Sequence, residues 1–332
     1  MKIHTNAGAL ASYKKYLHIK DATLAFLKQH NYLELELPVL SPALVPESYL
    51  EVFETEYRYM DVREKLYLTP SPELFIKRLL VENVGNCFYL GKSFRNAERR
   101  SERHGSEFTM LEFYKTHASY LDIADVTLTL LQHIAQALHA SHTIAYSGHT
   151  ISLERWEKMT VDESFVRYAK IKPGTIFDEN ALRKAAQEKG YTVDGFSYED
   201  IFSHMYVQDV EPHLGFGFPT LLYDYPKEFA ALAKLNDDGK TAQRFEFYIA
   251  GVELGDCYSE LTDPAEQKKR FISEYEKRKK DSRIHHPVDW GFVEALEKGL
   301  PRCSGIAIGF DRLAMVFADV KTIHDLKVIE VW

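Results

Sequence analysis

The sequence predicts an α+β fold, a mainly antiparallel sheet flanked by helices, on three observations. Strand patterns recur at CFYLG, EFTMLEFYKT, RFEFYIAGVELGDCYSEL and CSGIAIGFDRL, close together and without regular helix alternation, which disfavours a doubly wound parallel sheet. Amphipathic helical periods lie between them at 119–140, 154–170, 178–189 and 264–280. The 332 residues are 45% hydrophobic and 27% charged, enough apolar material for a large core.

Leu10, Tyr13, Leu17, Leu24 and Leu27 fall at helical spacing, so residues 9–30 open the chain as a helix. YLELELPVLSP then alternates through Leu33, Leu35 and Leu37 before Pro38, as a strand whose proline confines it to an edge or an interface. Ser71-Pro72-Glu73 supplies a cap, a proline at the first helical position and an acid near the positive end of the dipole, so a helix should run from Pro72 to Asn83. The stretch 143–220 reads as mainly helical and poor in chemistry, an insertion within a single domain spanning 1–332.

With 41 Lys+Arg against 49 Asp+Glu, the net charge of −8 opposes a chain whose main task is coating nucleic-acid phosphate. Neither a spanning apolar run nor a secretory signal is present, so a cytoplasmic enzyme without membrane attachment is expected. Cys87, Cys257 and Cys303 are odd in number and widely spaced, and read as reduced, buried thiols.

Chemistry concentrates in three clusters. In FRNAERRSERHGSEFTMLEFY, Arg95 precedes a polar loop with Arg99, Arg100, Arg103 and His104. The strand that follows places Phe108, Met110, Glu112 and Tyr114 on one face. This is either a solvated amphipathic hairpin or a pocket where cations hold phosphate while carboxylate and phenol hold an amine. In RFEFYIAGVELGDCYSELTD, a turn at Ala250-Gly251 makes residue 248 face 253 and 246 face 255, bringing Glu246 and Glu253 diagonally together. They are two exposed acids or Mg²⁺ ligands. Beyond Gly255, a candidate bulge, Asp256, Tyr258 and Glu260 share a face. In CSGIAIGFDRLAMVF, Gly305 and Gly309 permit close approach of backbone or ligand, and Arg312 sits where it can clamp phosphate.

Taken in order, these clusters resemble the signature motifs of class II aminoacyl-tRNA synthetases. LELELPVLSP is similar to motif 1 with its dimer-interface proline, Pro38; FRN…RHGSEFTMLEFY to motif 2; GIAIGFDRL to motif 3. TPSPELFIKRLL and GVELGDCYSELTDPAEQKKRF resemble the lysyl branch, and the resemblance covers nearly the whole chain. Motif 1 begins near residue 32, leaving no room for an anticodon-binding domain. The chain therefore most resembles the elongation factor P–(R)-β-lysine ligase family, lysyl-tRNA synthetase paralogues lacking that domain. Ala307 supports this, being alanine in those ligases and glycine in the synthetases.

The resemblance implies a two-step ligase that uses ATP and Mg²⁺ to activate a lysine-like amino acid, (R)-β-lysine, and transfers it to a lysine of elongation factor P. It implies that Arg95 bridges the α-phosphate and the substrate carboxylate, with His104 and Arg312 on the outer phosphates. Phe108 stacks on adenine and Glu107 lies near its exocyclic amine. Glu246 and Glu253 hold the metal. Glu73 faces the backbone-side amine, with Asp256 and Tyr258 beside the amino acid, and Glu112, Tyr114 and Glu260 surround the distal ammonium. The family's FRNE is here Phe94-Arg95-Asn96-Ala97-Glu98, so Glu98 either takes the ATP contact through a shifted loop or leaves it absent. Its NGF is Asp256-Cys257-Tyr258, which adds a negative charge. A homodimer through the Pro38 region is expected, with elongation factor P as acceptor rather than tRNA. A minimal synthetase charging tRNA or another carrier, and a non-catalytic amino-acid sensor, are the alternatives.

Overall fold

A computed structural model describes residues 1–97 and 100–330 as an α+β protein. It divides into two compact units: Met1–Ala118 with Glu260–Trp332, and Ser119–Ser259.

In the first unit, helix Ala7–Gln29 starts where the Asn6 side chain accepts from the Ala9 amide at 2.9 Å, and it buries Ile19, Ala22, Phe26 and Leu27. Its ladder runs Cys303–Gly309, Glu107–Thr116, Cys87–Phe94, Leu33–Glu34; the first two pairings are antiparallel and the last parallel. Strand Glu107–Thr116 is therefore central, and its Thr109, Leu111 and Phe113 are buried on one face as the alternation requires. Across it, Ala307 and Tyr89 both pair with Glu112, and Gly305 pairs with Tyr114. Helix Glu73–Val81 buries Leu74, Ile76 and Leu80, each contributing roughly 1.5–3 kcal/mol.

Two local expectations change here. The LELEL segment forms a strand at Leu33–Glu34, extended by the Leu35 amide donating to the Phe88 carbonyl at 2.8 Å, and Leu33 is 52% exposed; Pro38 interrupts the run and Leu40–Ser41 joins another sheet. That sheet contains an unanticipated hairpin, Phe53–Tyr59 with Val62–Leu68.

In the second unit, helix Tyr120–His139 opens with a capping box between Ser119 and Asp122. The ladder runs Glu157–Thr160, Thr220–Pro226, Thr241–Ile249, Val252–Ser259, parallel at its first pairing and antiparallel after. The expected helix at 154–170 begins only at Val161, because Glu157–Thr160 is a strand and Thr160 caps the helix with Glu163. Residues 143–220 also contain a short hairpin, Thr143–Tyr146 with His149–Ser152, besides helices Glu179–Glu188 and Tyr198–Met205. Phe165, Leu182, Phe202, Met205 and Tyr248 belong to that unit's core.

Candidate active site

A cluster of buried carboxylates forms in the first unit. Helix Glu73–Val81 carries Glu73 in its first turn and Lys77 one turn later, on the same side of the helix. The Ser71 hydroxyl accepts from the Glu73 amide at 3.0 Å and donates to Glu112 Oε2 at 2.8 Å. The Tyr114 hydroxyl donates to Glu112 Oε1 at 2.6 Å. The Tyr114 ring occupies the space a side chain at Gly305 would take: a Cβ there would lie 2.5 Å from Cδ1 and 2.7 Å from Cζ. Lys77 donates to Glu73 and lies 2.5 Å from Glu260 Oε2, while Glu260 Oε1 is buried with no hydrogen-bond partner among the described residues.

Glu112, Glu260 and Lys77 are each 2% exposed, so desolvation dominates their titration. Burial, reinforced by Glu73, pushes Glu112 up to about 8 against the opposing hydrogen bonds from Tyr114 and Ser71. Burial likewise raises Glu260 to about 8, with Lys77 pulling the other way. Burial alone would lower the Lys77 ammonium; Glu260 and Glu73 more than reverse it, so Lys77 titrates above the ordinary lysine range. The arrangement is a buried cluster of three carboxyl groups around one internal cation.

Arg95, His104 and Arg312, expected on phosphate, belong to this unit. The Arg95 guanidinium lies 5.3 Å from the centre of the Phe108 ring. Asn96 anchors the start of the loop, its amide donating to the Glu51 carbonyl at 2.9 Å and Nδ2 to the Val52 carbonyl at 3.1 Å. Ser101 Oγ and His104 Nδ1 are 2.8 Å apart, and Arg312 Nε donates to the Arg103 carbonyl at 3.1 Å. Asp311 accepts from the Thr109 amide at 3.1 Å, tying the start of helix Phe310–Ala318 to the central strand. Glu107 is exposed and pairs with Lys92 at 3.1 Å. Glu98 and Arg99 lie outside the described residues.

The second unit carries the acidic hairpin. Ala250 and Gly251 form its turn, both at positive φ (48° and 69°), and Tyr248 faces Glu253 as expected. Glu246, however, faces Asp256 rather than Gly255. Leu254 is the extra residue of a bulge one position earlier than anticipated, and the bulge rephases the alternation so that Glu246, Glu253, Asp256 and Tyr258 share one face. Arg244 spans two of these carboxylates: Nε donates to Asp256 Oδ1 at 3.0 Å, while Nη2 lies 2.9 Å from Asp256 Oδ2 and 2.8 Å from Glu246 Oε1. The Tyr248 hydroxyl donates to Glu246 Oε2 at 2.5 Å and accepts from Tyr206 at 2.6 Å. The charge that Asp256 adds is thus answered by Arg244 within the same unit. Among the described residues no group of three or more His, Cys, Asp or Glu converges as a metal site. Glu246 and Glu253 fit Mg²⁺ in a narrower sense. Each Glu246 oxygen keeps lone-pair capacity beyond its one donor, and Mg²⁺ commonly takes only one or two protein carboxylates alongside phosphate oxygens.

Residues 5–329 match the family described as tRNA synthetases class II (D, K and N). The chain belongs to this family. It is 35% identical over 304 residues to a lysine–tRNA ligase of Carboxydothermus hydrogenoformans, covering 91% of this chain and 61% of that protein. It is 34% identical over 326 residues to an elongation factor P–(R)-β-lysine ligase of Yersinia enterocolitica, covering 96% and 95% respectively. The corresponding ligase of Proteus mirabilis is 33% identical, with 98% and 97% covered. The chain thus spans less than two thirds of the length of the first lysine–tRNA ligases it matches, 61% and 64%, and nearly all of these ligases.

Within this class II domain, the structure brings together Glu73, Glu112, Tyr114 and Glu260 in one unit, and Glu246, Glu253 and Asp256 in the other. Sequence reasoning missed Lys77 and Arg244, and gave Ser71 a capping role without its hydrogen bond to Glu112. Lys77 was signalled by its four-residue spacing from Glu73 on an otherwise apolar helix, and Arg244 by its alternation with Glu246.

Proposed function

We propose that this class II domain is an ATP-dependent ligase that activates a lysine-like amino acid, (R)-β-lysine, as its adenylate and passes it to a lysine side chain of translation elongation factor P. The observation that carries the reading is the enclosed carboxylate cluster Glu73, Glu112 and Glu260, built to receive an ammonium-bearing substrate. A neutral amino acid would leave those carboxylates unanswered in a desolvated pocket.

In the first unit, Glu73 would meet the amine near the substrate carboxylate, and Glu112, Tyr114 and Glu260 the distal ammonium. Arg95 would hold the substrate carboxylate against the α-phosphate, with Phe108 against adenine, Glu107 near its exocyclic amine, and His104 and Arg312 on the outer phosphates. In the second unit, Glu246 and Glu253 would hold Mg²⁺, whose contribution when bound is to neutralise phosphate charge; Asp256 and Tyr258 would complete amino-acid recognition. Activation joins a substrate carboxylate oxygen to the α-phosphorus as the bond to pyrophosphate breaks. Transfer joins the acceptor lysine nitrogen to the carbonyl carbon as AMP leaves. Neither step needs a protein nucleophile, and the side chains act by orientation and charge.

Further parts of the proposal are a cytoplasmic location, a single catalytic domain with an insertion at 143–220, and a homodimer through the segment around Pro38, where Leu33 and Leu40 are 52% and 41% exposed. A second reading, charging of tRNA, is favoured by identity to lysine–tRNA ligases as high as that to the elongation factor P ligases. Amino-acid-dependent ATP–pyrophosphate exchange across (R)-β-lysine, lysine, ornithine and neutral isosteres tests the activation step. Exchange restricted to diamino acids supports it, and silence with every amino acid would leave a binding or sensing role instead.

A further inference from the structure

Lys77 has no part in the roles assigned above, yet it sits at the centre of the carboxylate cluster. Its side chain is 2% exposed, it donates to Glu73, and its Nζ lies 2.5 Å from Glu260 Oε2 and 5.5 Å from the centre of the Phe292 ring. Glu260 meets Lys77 through one oxygen, and the other, buried, has no hydrogen-bond partner among the described residues. An unanswered carboxylate oxygen inside a protein is costly unless a ligand completes it. Three carboxyl groups, Glu73, Glu112 and Glu260, surround one ammonium, and burial makes Glu112 and Glu260 hold their protons until further charges answer them. A diamino acid whose own carboxylate is bound elsewhere brings two positive charges.

We propose that Lys77 is a positioning residue: a permanent internal counter-ion that bridges Glu73 and Glu260 and fixes their carboxyl groups, so that the open Glu260 oxygen receives the substrate's distal ammonium. The inference rests on the functional reading above and deepens it, since it makes the pocket select by charge count as well as shape. Without Lys77, Glu73 and Glu260 would face each other and Glu112 in a desolvated space, and protonation would relieve the repulsion. Among the other titratable groups around them, Tyr114, Cys87 and Cys303 supply no positive charge, the two thiols being pushed above the ordinary thiol range by desolvation; Glu47 is pushed up to about 7 by burial and by Glu73, with Arg95 and Arg278 pulling it the other way.

The test uses the full chain and steady-state ATP–pyrophosphate exchange for wild type, Lys77→Ala and Lys77→Arg from about pH 6.5 to 9. Lys77→Ala is expected to raise KM for the diamino acid by about tenfold or more while leaving KM for ATP unchanged. That KM should fall as pH rises, because the carboxylates now ionise later, and propylammonium added to the assay should restore it. Lys77→Arg keeps the charge and should retain more of the affinity than Lys77→Ala. Wild-type exchange with an unaltered KM and pH profile in Lys77→Ala would overturn this inference alone. Silence of the wild type with all diamino acids would overturn the functional reading and this inference with it. Should Lys77→Ala fail to fold, the wild-type ¹⁵Nζ resonance of Lys77 decides: a shift on adding the diamino acid supports the role, and no shift at saturation contradicts it.

Discussion

Replacing Gly305 by alanine probes how the site was made to fit. The new Cβ would overlap Tyr114 Cε1 and come 2.5 Å from Cδ1 and 2.7 Å from Cζ, so the ring would have to retreat by more than ~1 Å to reach ordinary contact. Tyr114 is 2% exposed and cannot swing into solvent, and its hydroxyl holds Glu112 Oε1 at 2.6 Å. The retreat therefore costs an overpacking term of about 1–3 kcal/mol and breaks a buried hydrogen bond to a carboxyl group that Ser71 also holds. Denaturant unfolding should show the stability loss. Exchange kinetics should show KM for the amino acid raised about tenfold or more with KM for ATP little changed. A Gly305→Ala protein with wild-type stability and wild-type KM would refute the packing argument and the placement of Tyr114 in the pocket.

Three further outcomes are expected. Ala307→Gly, which removes the methyl group in register with Glu112, should shift exchange from (R)-β-lysine toward α-lysine by roughly 1–3 kcal/mol in relative kcat/KM, and unchanged selectivity would place discrimination elsewhere. Glu112→Gln should flatten the pH dependence of stability. A carboxyl raised to about 8 keeps a proton that the unfolded chain releases near the ordinary carboxylate value, so its contribution is lost as pH rises between those values. Urea unfolding at several pH values should show the wild type losing up to about 1 kcal/mol per pH unit more than the variant across that window. Arg278→Ala should destabilise by about 3–5 kcal/mol, since the guanidinium is 1% exposed, pairs with Glu51 at 3.2 Å and donates to the carbonyls of Glu47, Leu50 and Ile284.

Legible in the sequence was whatever rests on periodicity and turn chemistry. The alternation of Glu107–Thr116 put Glu112 and Tyr114 on one face, and Ala250-Gly251 marked its turn, because both depend on neighbours in sequence. The bulge was anticipated beside Gly255, but its placement at Leu254 depends on how the ladder closes, so the partner of Glu246 was misjudged by one residue. The helix expected from residue 154 was cut short because Glu157–Thr160 gains a parallel partner more than fifty positions away, which no local window contains. The hairpin Phe53–Tyr59 with Val62–Leu68 escaped notice because it is mostly exposed and its faces are not cleanly apolar and polar. Lys77 was overlooked because a lysine on a helix is ordinarily a solvated charge, and only the burial of Glu73 and Glu260 around it makes it an internal counter-ion.

The most direct test of the central claim is the intact mass of elongation factor P after incubation with this protein, ATP and (R)-β-lysine. The expected result is a gain of one lysyl residue on a lysine side chain, dependent on ATP. Unmodified elongation factor P in a mixture where the same protein charges tRNA would contradict it.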